Sequence, residues 1–235
     1  MNGQIYVLVF FLLFSLGKTQ PKLSFDLGMS IYQPTLTGYD ENDIFPSKNF
    51  INRNFLYTWS FYYEFFYNAR LGMSTSTSFD SKNKISLDNA SSADFQRRIT
   101  YRFFPIETFF RWRPKIELNF TLSPIWGRSI ISLETAPSQQ VEDWNSFLSK
   151  FNDTADQMTD MGATDAMTSN WFGYSSMLGI RYYITSRMAI DFKSGFMNHR
   201  YDESKWKLRG EKVTGPKMKL DDLPVFMLKF LYGFR

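Results

Sequence analysis

Apolar and polar residues alternate one for one along several segments of about ten residues, the period of a β-strand with two unlike faces. Over 23–31, Leu23, Phe25, Leu27, Met29 and Ile31 alternate with Ser24, Asp26, Gly28 and Ser30. Over 57–65, Tyr57, Trp59, Phe61, Tyr63 and Phe65 alternate with Thr58, Ser60, Tyr62 and Glu64. The same pattern predicts strands over 71–79, 95–103, 116–122, 178–184 and 188–196, and a last one in which Phe226, Leu228, Phe230, Tyr232 and Phe234 share a face. In 95–103 the apolar face carries Ile99, Tyr101 and Phe103, and the polar face Gln96, Arg98, Thr100 and Arg102. Eight strands are predicted in all.

The connections alternate in length. Those at 67–70, 105–114 and 185–187 are short, the middle one bracketed by Pro105 and Pro114, whereas those at 34–54, 81–94, 127–170 and 199–221 are long. An all-β, eight-stranded, antiparallel up-and-down sheet with short turns on one side and long loops on the other is the plan of a transmembrane β-barrel, with the short side in the periplasm. Both chain ends then fall on the short-turn side.

Alternation does not say which face is inside, and a secreted lipocalin-like barrel turns its apolar face inward. Bulky aromatics near the strand ends (Tyr57, Trp59, Trp126, Trp171, Tyr174, Tyr232) and the one-sided loops favour the apolar face outward, with the aromatics as interfacial girdles. That phase assigns Asp26, Glu64, Glu117 and Asp191 to the lumen, together with Arg70, Arg98, Arg102, Arg181, Lys193 and Lys229, where opposite charges can pair. The other phase would push them into hydrocarbon at ~2–4 kcal/mol for an Arg or Lys near the midplane, a sum beyond a typical folding free energy. An eight-stranded interior is only wide enough for side chains, which argues against a wide solute pore.

Composition fits this plan. Aromatics make up 19% of the chain, with 25 Phe and 13 Tyr, yet the mean hydropathy is −0.31. Beyond residue 20 no stretch approaches the roughly 20 apolar residues of a membrane helix. Residues 1–20 read as a secretory signal. Ile5 to Leu16 supply its apolar core, and Gly17 and Thr19 suit the peptidase subsites, which leaves 21–235 as the mature domain. Asn2, Gly3 and Gln4 carry no positive charge, so an uncleaved anchor is the alternative. The lack of cysteine excludes a lipidated N-terminal cysteine, disulfides, thiolate metal sites and cysteine nucleophiles. A net charge of +4, mixed along the chain, gives no nucleic-acid signal.

Signal segment, alternating strands, short turns, long loops and a Tyr232-Gly233-Phe234 end together resemble the small outer-membrane barrels typified by OmpX and the membrane part of OmpA. The resemblance spans nearly all of 21–235 and is architectural. It implies residence in the bacterial outer membrane among that membrane's lipids. It also implies that Tyr232 and Phe234 form the C-terminal signal read by the barrel-assembly machinery, although Arg235 follows the aromatic here. Function stays open, because the architecture hosts adhesins, narrow channels, carriers of small apolar molecules and lipid A enzymes.

Candidate chemistry is sparse. His199, the single histidine, lies near Asp202, Glu203 and Ser204 at the outward end of the seventh strand, where a carboxylate-oriented imidazole could activate a serine. A lipid A-modifying enzyme built on His199, Ser204 and Asp202 is therefore one alternative, although position 201 is Tyr where a deacylase pattern wants Ser. In the longest loop a short helix is predicted, starting near Pro137-Ser138. Its apolar face of Val141, Trp144, Phe147, Leu148 and Phe151 would dock an envelope protein partner, cap the barrel mouth, or pack on its own barrel. That loop is acidic, and Met158, Met161 and Met167 within it read as packing rather than as a metal site. The loop 199–219 is basic (Arg200, Lys205, Lys207, Arg209, Lys212, Lys217, Lys219) and could pair with the acidic loop or meet anionic lipid head groups. There is no Gly-rich phosphate loop, zinc spacing or nucleophile elbow, so no metal or cofactor is expected. The reading is a non-enzymatic outer-membrane barrel acting through its external loops, with the enzyme and a carrier of small apolar molecules as alternatives.

Overall fold

A sheet placed in hydrocarbon cannot leave edge N–H and C=O groups unpaired, so it must close on itself. The strands in the computed structural model do so, and it describes residues 22–32, 35–37, 55–78, 82–87, 92–151, 159–162, 165–201, 205–215 and 217–234. In order these form β1 (Leu23–Tyr32), β2 (Thr35–Thr37), β3 (Phe55–Phe66), β4 (Ala69–Ser78), β5 (Lys82–Ser86), β6 (Ser92–Phe103), β7 (Ile106–Arg113) and β8 (Ile116–Glu134). Helix α1 (Gln140–Ser149), β9 (Ala166–Tyr183), β10 (Met188–Tyr201), β11 (Trp206–Leu208), β12 (Glu211–Val213) and β13 (Lys217–Phe234) complete the chain. Eight walls make the barrel: β1, β3, β4, β6 with β7, β8, β9, β10 and β13, each antiparallel to the next, with β13 returning to β1. The candidate signal segment 1–20 lies outside the described residues.

The register fixes the shape. Paired residues followed once round the barrel run from Trp126 through Arg102, Thr75, Trp59, Leu27, Phe230, Ile190 and Tyr182 to Ile116, ten residues lower on the starting strand. Eight strands with that stagger tilt by about 40°, so each residue adds about 2.5 Å of height. Trp126 therefore stands about 25 Å above Ile116, the height of the apolar band of such a barrel. The 19 residues of β8 and the 18 of β9 carry the wall far beyond it. The expected loop over 127–170 is thus partly strand.

The connection expected over 105–114 is also strand. β6 and β7 form one wall, kinked at Phe104-Pro105, and the turn is Pro114-Lys115. Proline is tolerated there because its missing N–H faces β4 where the ladder lapses between Leu71 and Ser74. Its carbonyl still accepts the Gly72 N–H at 2.9 Å. The short turns are stitched to their neighbours by single backbone bonds, among them Phe109 N–H to Asn68 O, Tyr183 N–H to Lys115 O and Gly233 N–H to Arg187 O.

Within the band the outer wall is apolar and exposed, with Leu27, Met29, Phe61, Leu118, Phe120, Leu178, Ile180, Phe192, Leu228 and Phe230 all pointing out. The interior has two storeys. The lower one is ionic. The upper one is an apolar core of Tyr32, Leu56, Ile99, Tyr101, Ile125, Trp171, Met177, Met197 and Val225, continuous with the residues beneath α1.

Candidate functional site

The lower storey is assembled by register, which sets opposite charges face to face on neighbouring strands. Arg70 pairs with Glu107 across β4–β7, Glu117 with Arg181 across β8–β9, and Arg181 with Asp191 across β9–β10. Arg70 reaches Glu107 at 2.7 Å and forks onto Glu117 at 2.6 and 2.7 Å, with its guanidinium 3.8 Å over the Phe109 ring. Arg181 donates to Asp191 at 2.6 Å and to Glu107 at 3.2 Å. Lys193 bonds Glu107 and, at 2.8 Å, Thr121. Tyr183 donates to Glu117 at 3.0 Å and Asn119 to Asp191 at 3.1 Å. Three cations thus meet three carboxylates, each with further hydrogen bonds, which is the condition under which buried charge is tolerated.

A second pair lies across the β1–β13 seam, where Lys229 faces Asp26 at 3.8 Å and donates to Ser60 Oγ at 2.8 Å. Gly28 is required here. A Cβ on it would fall 2.8 Å from Lys229 Cγ and 2.4 Å from the Leu228 carbonyl oxygen. Among the described residues no group of His, Cys, Asp and Glu could hold a metal ion.

The upper storey is apolar and reaches up to α1. Trp144 and Phe147 of α1 are fully buried, with Phe147 5.9 Å from the Phe95 ring. Lower down, Trp171 lies edge-on to Tyr101 and over Gly127, where a Cβ would strike the indole at 2.2 Å. Between the storeys a cavity of ≈ 20 Å³, lined by Tyr62, Phe103, Thr121, Met177, Lys193 and Lys229 among others, has room for a single water.

The expected lumen charges divide. Asp26, Arg70, Glu117, Arg181, Asp191, Lys193 and Lys229 are buried in the lumen, and Glu64 lies 3.9 Å from Arg70 at its short-turn end. Arg98 and Arg102 do not join them. Both are exposed on the outer wall, a correction with a physical cause: above the band the wall meets water, so its polar face turns out and Ile99, Tyr101 and Phe103 turn in. Glu107, the centre of the network, lies in 105–114, where the two prolines predict a connection and hide a strand. The alternation of Ile106, Thr108, Phe110 and Trp112 with Glu107, Phe109 and Arg111 was the signal for it.

Of the helix face, Trp144, Phe147 and Leu148 are buried in the barrel's own core and Val141 and Phe151 pack against it, so this face is not available to a partner. The basic and acidic loops meet where Arg209 pairs with Asp160 at 3.2 Å and Asp165 at 3.6 Å. Tyr232 and Phe234 are exposed on the outer face of β13. His199 belongs to β10, opposite Gly173 and Leu220, while Asp202, Glu203 and Ser204 lie outside the described residues.

A closed eight-stranded antiparallel barrel, apolar outside and ionic within, has the fold of the small outer-membrane barrels. No protein-family profile matches the chain, and no curated protein matches it in sequence. Among solved structures it is similar to the outer membrane protein OprG from Pseudomonas aeruginosa, with a TM-score of 0.51 and 12% identity over 93% of this chain and 98% of that one. It is also similar to Ail, the attachment invasion locus protein of Yersinia pestis, with a TM-score of 0.44 and 13% identity over 92% and 98%. Outer Membrane Protein W of E. coli aligns with a TM-score of 0.45 and 13% identity over 91% and 98%. At 12% identity, the likeness to OprG shows a shared fold and no more.

Proposed function

We propose that the chain is an integral outer-membrane barrel that neither conducts nor catalyses, and that acts through the structured wall it raises beyond the membrane. The filled lumen carries this reading. From the Arg70–Glu107–Glu117 contacts upward to Trp144 of α1, buried side chains line the axis, and the cavity between the storeys has room for about one water. The belt of exposed aliphatic and aromatic residues supports insertion, since a water-soluble chain would bury such a surface. The external part is itself folded: Phe95, Ile131, Leu133, Trp144, Phe147, Met167, Trp206 and Leu208 form its core. A rigid platform of this kind suits recognition, because little ordering entropy is lost on binding.

The test is a planar lipid bilayer holding the refolded full chain. Conductance is expected to stay at the level of bare lipid across the voltage range, with the heat-dependent gel shift of the same sample reporting a folded barrel. Steady single-channel steps from such a sample would overturn the sealed-lumen reading. A carrier of small apolar molecules has one observation in its favour, the apolar upper storey, and it would need α1 to withdraw from the mouth.

A further inference from the structure

At the short-turn end, four backbone bonds join neighbouring walls into one continuous ring. Glu64 N–H donates to Lys22 O, Tyr183 N–H to Lys115 O and Gly233 N–H to Arg187 O, each at 2.8 Å, and Phe109 N–H to Asn68 O at 3.0 Å. The charge on this ring is one-sided. Lys22, Arg111, Arg113, Lys115 and Arg187 stand there with one partly exposed acid, Glu64. Arg111 already takes up that acid at 3.6 Å and lies 3.8 Å from Glu117 inside the barrel. Arg113, Lys115 and Arg187 are all exposed, and among the described residues they have no ion-pair partner. Arg113 is stacked on Trp112, its guanidinium carbon 5.0 Å from the ring centroid. Like charges gathered without counter-charge repel one another. Packing gives no reason for gathering them, since none of these three side chains is buried.

The bases crown the mouth of the barrel. Around them the wall is apolar and exposed at Phe66, Trp112, Ile184, Met188 and Phe234. Arg111 belongs to the inner face, with its guanidinium carbon 5.3 Å from the centroid of the buried Phe109 ring. Lys115 and Arg187 lie in the turns themselves, beyond the last residues of β7 and β9. A lipid approaches from the side and meets the apolar ring, whereas the crown is open to the water beneath. Guanidinium groups fork onto carboxylates in charge-assisted pairs. A ring of bases favours a polymer bearing many such groups, because each contact after the first is intramolecular. We propose that the short-turn end is a docking face for the carboxylate-bearing peptide stems of the cell-wall polymer beneath the outer membrane. The proposal rests on the reading of the chain as an integral outer-membrane barrel with its short turns in the periplasm.

The full chain, refolded in micelles of a neutral detergent, would be mixed with purified insoluble cell-wall sacculi and centrifuged. Wild type is expected in the pellet at low salt and in the supernatant at high salt, where exposed charges are screened. Arg113→Gln/Lys115→Gln/Arg187→Gln is expected to stay in the supernatant at low salt while keeping its heat-dependent gel shift. Sacculi whose carboxylates have been converted to amides are expected to bind neither protein. Wild type that does not pellet overturns the docking face, with no variant needed. A triple variant that pellets like wild type, or binding that survives amidation, overturns it as well. Wild type that ignores sacculi but melts higher in vesicles containing phosphatidylglycerol than in phosphatidylcholine alone also overturns it, and assigns the crown to the leaflet. The underlying reading is tested apart. The chain has no cysteine, so Ser186→Cys puts a single thiol in the turn between β9 and β10. A maleimide on a polymer too large to cross the outer membrane is expected to label it only in opened cells. Labelling of intact cells, or a wild type without a gel shift, would mark failure of the barrel reading itself.

Discussion

The charge balance of the lower lumen makes Glu107 the most informative position to change. Its carboxylate is fully buried and takes hydrogen bonds from Arg70, Arg181 and Lys193, with Thr121 at 3.2 Å. Glu107→Gln keeps the shape and removes one negative charge, so Arg70, Arg181 and Lys193 would keep Glu117 and Asp191, with Glu64 3.9 Å from Arg70 at the edge of the network. Breaking a buried ion network on one side costs about 3–5 kcal/mol, because the stranded charge has no solvent to return to. Against a total stability of about 5–15 kcal/mol, that would move a urea midpoint far. Removing a cation as well, in Glu107→Gln/Lys193→Met, restores the balance and should recover much of the loss. The four proteins form a double-mutant cycle whose coupling reports the interaction itself. The measurement is urea unfolding of refolded protein in vesicles, followed by tryptophan fluorescence and by the gel shift. A single variant within about 0.5 kcal/mol of wild type, the range of an unremarkable surface substitution, would mean that water screens the network. The same conclusion would follow from a double variant no more stable than the single one. Either result would refute the sealed lumen.

Two other substitutions probe the rest of the wall. Trp144→Ala removes the fully buried anchor of α1 at a cost of about 3–5 kcal/mol to the packing of the cap. Limited proteolysis should then cut within 135–165 while the barrel keeps its heat-dependent shift, and an unchanged digestion pattern would show that the helix is held by something else. Leu228→Arg places a charge on the outward face of β13 within the apolar band, where it should cost up to about 2–4 kcal/mol and reduce insertion into vesicles. Insertion equal to wild type would argue that this face does not meet lipid.

The strands crossing the band were legible because their two environments are opposite and constant: lipid outside and packed polar groups inside give a clean period of two. The segment 57–65 became Phe55–Phe66 and 188–196 became the lower part of Met188–Tyr201 on that signal alone. Legibility failed where an environment changed partway along a strand. Between Trp126 and Glu134 the outward residues pass from aromatic to Arg128, Ser132 and Glu134, while Ile131 and Leu133 turn inward. A reader who holds the phase rule of the band then places Arg98 and Arg102 on the wrong side. Prolines were the other obstacle. Pro105 and Pro124 sit side by side in the sheet around Phe104, whose N–H bonds the Pro124 carbonyl at 3.1 Å, so a residue that usually ends a strand here marks a bend within one. The helix was visible as an amphipathic stretch, but what its apolar face would meet depended on the upper storey of the lumen, which no local pattern encodes.

The ion pair at the seam also bears on how such a chain completes its assembly. β1 and β13 are the two ends of the sheet, and Asp26 and Lys229 meet only when those ends pair. An unfinished sheet would carry a lone carboxylate on one free edge and a lone ammonium near the other, each poorly suited to hydrocarbon. A one-residue slip at the last step would turn one of the two side chains toward lipid and strand the other inside, and a two-residue slip would pull them out of reach of each other. The clasp therefore proofreads: zipping proceeds to a neutral interior in one register, and every misaligned closure keeps the charges that make it easy to undo.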